Sequence, residues 1–137
     1  MYEPIRTKSV HTVAENVHRG TLPRRSREEE LDIRLAGHLT ALLTVTDELR
    51  ALTPSASLEA AAVELAAHAT RLAGGRAPLR AEPSAPRNDP AHLASLHARA
   101  RTLAGTALAV ATSRGDEAVA ALMTERLAAH EGALVPA

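Results

Sequence analysis

The sequence predicts an all-α protein, an antiparallel up-down four-helix bundle with a flexible basic N-terminal arm. Leucine-rich stripes recur with steps of three and four in four separate segments, as expected for helices that bury one face. Helix-capping residues precede these segments, and no β-branched run alternates with a period of two, so no sheet is expected. A chain of 137 residues suits one domain with a single core.

Residues 1–25 are predicted to form the arm, and residues 26–137 the bundle domain. Within the arm, the stretch from Ser9 to Gly20 has the pattern of one short helix. Residues 1–27 carry six basic side chains against two acidic ones, which makes this end of the chain basic although the whole chain has zero net charge. Few apolar residues and a like-charge excess are typical of a flexible segment.

The first bundle helix is predicted at about 27–52. Ser26 and Glu29 have the spacing of a capping box, in which each side chain binds a free backbone N–H of the first turn. The stripe that should face the core contains one histidine among apolar residues: Leu31, Leu35, His38, Leu42, Val45, Leu49 and Leu52.

The second helix is predicted at about 55–73, because Gly74 and Gly75 provide a stop signal. The following segment, 74–89, is rich in proline and glycine and is predicted to be a loop.

The third and fourth helices are predicted at about 90–113 and 117–134. Asp89 followed by Pro90 is a typical helix start, since proline is well tolerated at the first helical position. Asp116 is the corresponding cap of the fourth helix.

Composition excludes several classes of function. The chain has no cysteine, so disulfides, thiolate metal sites and thiol nucleophiles are absent. No glycine-rich phosphate loop, nucleophile elbow or zinc-protease motif is present. We therefore expect no enzyme, no cofactor and no membrane insertion, and a cytoplasmic location. Arginine makes up nearly all of the basic residues, which suggests a high-GC bacterial genome.

Four histidines are the candidate site residues, as ligands of a transition metal: His38, His68, His97 and His130. In an up-down-up-down bundle both hairpin corners lie at one end, and each histidine is roughly 20–24 Å from that end. A layer of imidazoles at one height would suit zinc, copper, nickel or iron. The alternative interpretation is that these side chains only pack or are half exposed, because no inward carboxylate accompanies them at the spacing of di-iron bundles.

Three functions remain open. The preferred one is a non-enzymatic interaction or scaffold protein that self-associates as a dimer and can engage an unidentified protein partner. Apolar residues outside the core stripes support the dimer, because they widen the apolar face: Leu39, Leu43, Val63, Leu108 and Leu122. The alternative is a metal- or small-ligand-binding bundle that uses the histidines. A third hypothesis, a DNA-associated regulator that uses the basic arm, has weaker support. The sequence shows no helix with a basic face and no aromatic platform for bases.

Overall fold

The computed structural model describes residues 26–84 and 89–135, which contain four α-helices and no strand. The helices are α1 (Arg27–Leu52), α2 (Ala56–Leu72), α3 (Pro90–Arg114) and α4 (Glu117–Leu134). Each helix bound lies within one residue of the sequence-based range. The predicted arm lies outside the described residues. None of the described helices combines the length and apolar character needed to cross a bilayer.

Each helix begins at a side-chain cap. Ser26 Oγ accepts a hydrogen bond from the Glu29 amide at 3.1 Å, and Glu29 Oε1 accepts one from the Ser26 amide at 2.7 Å. This is the predicted capping box. Ser55, Asp89 and Asp116 accept from first-turn amides of α2, α3 and α4. These bonds satisfy donors that have no partner within a helix, and so fix where each helix starts.

Helix α1 is the centre of the core. It packs against both α2 and α3, and α3 also packs against α4. Leucines dominate the buried face of α1, whereas α3 buries mostly alanines. Small side chains on α3 let its neighbours approach closely, so leucines of α1 can fill the core although no Phe or Trp is present.

Contacts at the helix ends give the directions of the helices. Arg114, the last residue of α3, donates to Asp32 in the second turn of α1 at 2.9 Å. Helices α1 and α3 therefore run in opposite directions. Arg71 near the end of α2 donates to the α4 cap Asp116 at 2.9 Å, so α2 and α4 are also opposed.

The order of directions is thus up-down-down-up, which differs from the up-down-up-down order expected from the sequence. The corner between α1 and α2 lies at one end of the bundle, and the corner between α3 and α4 lies at the other. The segment that connects α2 to α3 starts at one end of the bundle and ends at the other, and the structure describes its residues 73–84 and 89. We call this segment the crossover.

Ionic contacts hold the described part of the crossover against the C-terminal half of α1. Arg80 donates from Nε and Nη2 to the two oxygens of Asp47, at 3.1 and 2.7 Å. Asp47 also accepts from Arg50 at 2.7 Å. Further along, Ser84 donates from its amide and hydroxyl to Glu48 Oε1 at 2.9 and 2.8 Å. The contact between Arg80 and Asp47 is the strongest of these, because two charge-assisted hydrogen bonds join the same two side chains.

Candidate functional site

His97 of α3 and His130 of α4 lie against each other near one end of the bundle. Their Nδ1 atoms are 2.9 Å apart, and the ring centroids are 5.2 Å apart. His130 is fully buried, whereas His97 is half buried. The pair arises because α3 starts at the end of the bundle toward which α4 runs.

The Nδ1 contact restricts the protonation of the pair. One Nδ1 must carry the proton and the other must accept it, since two N–H groups cannot face each other at this distance. Burial lowers the pKa of His130 to about 4, and the charge of Arg126 and the neighbouring His97 act in the same direction. Burial also lowers the pKa of His97, again with a contribution from Arg126. Both rings are therefore neutral at neutral pH.

Arg126 lies one helical turn before His130 on α4 and is only 3% exposed. Its Nη1 donates to Ser57 Oγ in the first turn of α2, at 3.1 Å. The nearest carboxylate oxygen is on Glu125, at 3.8 Å, and that side chain points largely into solvent. Burial lowers the pKa of Arg126, while the charges of Glu125 and Glu64 raise it. The guanidinium is a buried cation without a close counter-ion among the described residues.

An open pocket adjoins these side chains. Its volume is about 360 Å³. The pocket is lined by residues of the α1–α2 corner, the first turn of α2, and helices α3 and α4: Thr53, Pro54, Ser55, Ser57, Leu58, His97, Arg126, Ala129 and His130. We call it the histidine–arginine pocket.

Two polar atoms at this pocket lack a hydrogen-bond partner. They are Nε of Arg126 and Nε2 of His130, and both are buried. In the described ranges only two further buried side-chain atoms, on Arg50 and His92, share this condition. The histidine–arginine pocket is thus lined by two residues that each have an unpartnered buried atom, whereas the crossover pocket described below is lined by one, Arg50.

A second pocket, beside the crossover, has a different charge balance. It has a volume of about 470 Å³ and contains Arg50 and Arg80. Both of these arginines contact carboxylates at 2.8 Å or less, on Asp47 and Glu59. Its cations are therefore already paired, and its contacts serve to anchor the crossover.

The structure brings together two of the four predicted site histidines. His97 and His130 are in contact, whereas His38 on α1 is half buried and His68 on α2 contacts Arg71 near the opposite end. In residues 26–84 and 89–135, no group of three or more His, Asp or Glu side chains is placed to hold a metal ion. The four-histidine layer does not form, because it required both hairpin corners at one end.

The sequence-based reasoning missed Arg126 and Ser57. The signal for Arg126 was present, since Val119, Met123, Arg126 and His130 follow each other in steps of four, three and four. That spacing places Arg126 on the buried face of α4. Nothing in the sequence indicates that Ser57 meets this arginine.

No family model, curated protein or solved structure matches this chain. The site therefore has to be interpreted from its own geometry.

Proposed function

We propose that this protein is a ligand-binding four-helix bundle, which binds a small molecule in the histidine–arginine pocket. The observation that carries the proposal is the pair of unpartnered buried atoms, Arg126 Nε and His130 Nε2, on two residues that line an open pocket. Two of the side chains that line it, His97 and His130, are candidate site residues from the sequence.

These two atoms carry an energetic cost. A buried polar group without a partner costs about 1–3 kcal/mol, and more when it is charged. A fold with a marginal net stability keeps such groups only where something offsets the cost. A ligand that accepts from Arg126 and contacts His130 would satisfy both atoms at once.

The pocket also has a suitable size and composition. Its volume of about 360 Å³ falls at the lower end of the range of roughly 300–1,000 Å³ that ligand sites occupy. Leu58, Pro54 and Ala129 supply apolar surface, and the hydroxyl groups of Thr53 and Ser57 add polar contacts. Small molecules with one polar group are therefore the appropriate probes.

The test is a titration of the full chain with four probes: acetamide, acetate, benzyl alcohol and sulfate. Ring carbon resonances of His97 and His130 are followed by NMR. We expect at least one probe to shift both rings saturably. Ala129→Leu, which fills the pocket, should weaken that binding by about tenfold or more. Ala128→Leu, at the adjacent exposed position outside the pocket, is the matched control and should leave it unchanged. If no probe shifts either ring, the proposal is wrong.

Self-association, which the sequence suggested, stays a prediction. Its residue-level support is weaker, because Leu39, Leu43 and Leu122 are buried within the chain and Leu108 is half buried against the core. Of the five residues that suggested a wider apolar face, Val63 alone is largely exposed. Helix α1 uses its apolar breadth to contact α2 and α3 together.

A further inference from the structure

Among the arginines of the described residues, the most buried one lacks the close carboxylate that four more exposed ones have. Four half-exposed arginines each have a carboxylate oxygen within 2.9 Å: Arg50, Arg71, Arg80 and Arg114. Arg126 is the most buried arginine of the described residues, yet its closest carboxylate oxygen is 3.8 Å away. A buried charge needs a counter-ion more than an exposed one does, since removing an ion from water is energetically costly. The arrangement therefore lacks an anion at the position where electrostatics most requires one.

We infer that the ligand of the histidine–arginine pocket carries an oxyanion, a carboxylate or phosphate group, which binds beside the Arg126 guanidinium and the Ser57 hydroxyl to which it donates. This inference rests on the proposed function and specifies the chemical class of the ligand.

Three donors belong to elements that line this pocket. Arg126 lines the pocket, and its Nε is buried without a partner. Ser57 already accepts from Arg126 Nη1, which leaves its hydroxyl proton to donate to an anion. The first turn of α2 lines the same pocket and presents the positive end of the helix dipole. The unpartnered guanidinium, rather than the helix terminus, is what indicates an anion.

The histidine pair supplies a fourth donor in one of its two tautomers. When His97 carries the Nδ1 proton and donates to His130, the proton of His130 lies on Nε2, the ring nitrogen that has no other partner. An oxyanion selects this tautomer, because the other one presents a lone pair to the negative charge. Ligand binding should therefore fix the direction of the bond between His97 and His130.

The experiment compares charged probes with neutral probes of nearly the same shape. Acetate is compared with acetamide, and sulfate with dimethyl sulfone, at constant ionic strength on the full chain. The Nε–H signal of Arg126 and the ring nitrogens of His130 are recorded by NMR. We expect acetate or sulfate to bind about tenfold or more tightly than its neutral counterpart, and to place the His130 proton on Nε2. Tighter binding of acetate indicates a carboxylate ligand, and tighter binding of sulfate indicates a phosphate-like one.

Variants provide a second measurement. Arg126→Gln should weaken oxyanion binding by about tenfold or more, whereas Arg114→Gln, at the other end of the bundle, should leave it within about twofold. The comparison of acetate with acetamide uses the natural chain, so it decides the matter even if Arg126→Gln does not fold. Equal binding of charged and neutral probes overturns the oxyanion and leaves the proposed function standing. Absence of any binding overturns both.

Discussion

A fully buried imidazole makes stability depend on pH. The pKa of His130 falls from 6.5 to about 4 on folding, mainly because burial disfavours the charged ring. The groups around it are His97 on α3, Arg126 on α4, and the carboxylates Glu64 and Glu125 that act on Arg126. Arg126 and His97 both disfavour the imidazolium form of His130. The folded state therefore binds this proton at a lower pH than the unfolded state does.

The first prediction is a loss of stability in weak acid. Between pH 6.5 and about 4, the His130 ring is protonated in the unfolded chain but neutral in the folded chain. The free energy of unfolding is therefore highest above pH 6.5 and decreases as the pH is lowered through this window. The shift corresponds to about 3 kcal/mol. Urea unfolding at a series of pH values should show this slope. His130→Asn, which keeps a hydrogen-bonding atom near Nδ1, should remove most of it.

His68→Asn is the matched control, because His68 is half buried on α2 and its Nδ1 lies 3.0 Å from Nη2 of the exposed Arg71, toward the opposite end of the bundle. Its acid slope should equal that of the natural chain. An unchanged slope in His130→Asn would show that another group causes the acid loss.

At this scale the sequence indicates which residues are chemically interesting but not which of them meet. His97 and His130 belonged to the predicted set, and their contact depended on the direction of α3 relative to α4. Arg126 was detectable from the spacing of Val119, Met123 and His130, because a polar residue on a buried stripe is unusual. Its lack of a close counter-ion is a property of the packed structure alone.

Among the elements, the crossover is joined to α1 by a bidentate contact with Asp47. Burial raises the pKa of Asp47, but hydrogen bonds and charges from Arg80 and Arg50 together outweigh it and hold the pKa below its usual value. The carboxylate therefore stays ionised and attached to both arginines at neutral pH.

The second prediction is that Asp47→Asn loosens the crossover. The substitution removes the charge while keeping the shape, and should cost about 1–2 kcal/mol, less than a fully buried pair because Arg80 is partly exposed. Hydrogen exchange of the backbone amides of residues 78–84 should become faster. The amides of α3 should still exchange only through global unfolding of the protein. Glu82→Gln, an exposed position of the same segment, should change neither. Unchanged exchange in Asp47→Asn would mean that other contacts hold the crossover.

The third prediction contrasts two glycines under the same substitution. Gly115 ends α3 with a φ of 77°, a left-handed conformation that a Cβ disfavours. Gly115→Ala should cost about 1 kcal/mol. Gly37 lies at an exposed position within α1, away from the helix ends, and a Cβ there would meet nothing within 4 Å. Gly37→Ala should therefore stabilise the protein, by about 1 kcal/mol. Thermal unfolding measures both, and shifts of equal sign would contradict the assigned backbone conformations.

For the whole molecule, the direction of α3 was the part that the sequence left undetermined. The corner around Gly115 is short, so the opposition of α3 and α4 followed directly. The loop predicted at 74–89 could span roughly 50 Å when extended, which is more than the roughly 26 Å length of the 17-residue α2. Either end of the bundle was therefore within reach of α3. Asp32 and Arg114, which mark the observed direction, carry no sequence signal of their partnership.

The fourth prediction tests this direction by cross-linking. The chain contains no cysteine, so Asp32→Cys combined with Arg114→Cys gives a single defined pair of thiols. A short bis-maleimide should join these thiols within one chain, because Arg114 Nε and Asp32 Oδ1 are 2.9 Å apart in the natural protein. Asp32→Cys combined with Pro90→Cys, at the other end of α3, is the control and should not cross-link. The reverse result would restore the up-down-up-down order.

The fifth prediction concerns the assembly. Light scattering during size exclusion at micromolar concentration should give the mass of two chains, as the sequence-based dimer requires. Val63→Glu places a charge on the largely exposed α2 position that remains from the proposed apolar face, and should reduce the mass to one chain. A single-chain mass for the natural protein, unchanged on concentration, would end the dimer hypothesis without affecting the pocket.

The crossover also suggests that the chain can be divided into two working halves. It joins one hairpin, α1 with α2, to another, α3 with α4, and the two hairpins bury their surfaces against each other through α1 and α3. Cleavage after the exposed Arg76 leaves every helix intact. We expect fragments 1–76 and 77–137, mixed after separate expression, to reassemble in a concentration-dependent way. Since His97 and His130 lie on one fragment and Ser57 on the other, reassembly would rebuild the pocket, and the pair could serve as a split reporter of proximity in which ligand binding appears only when the halves meet.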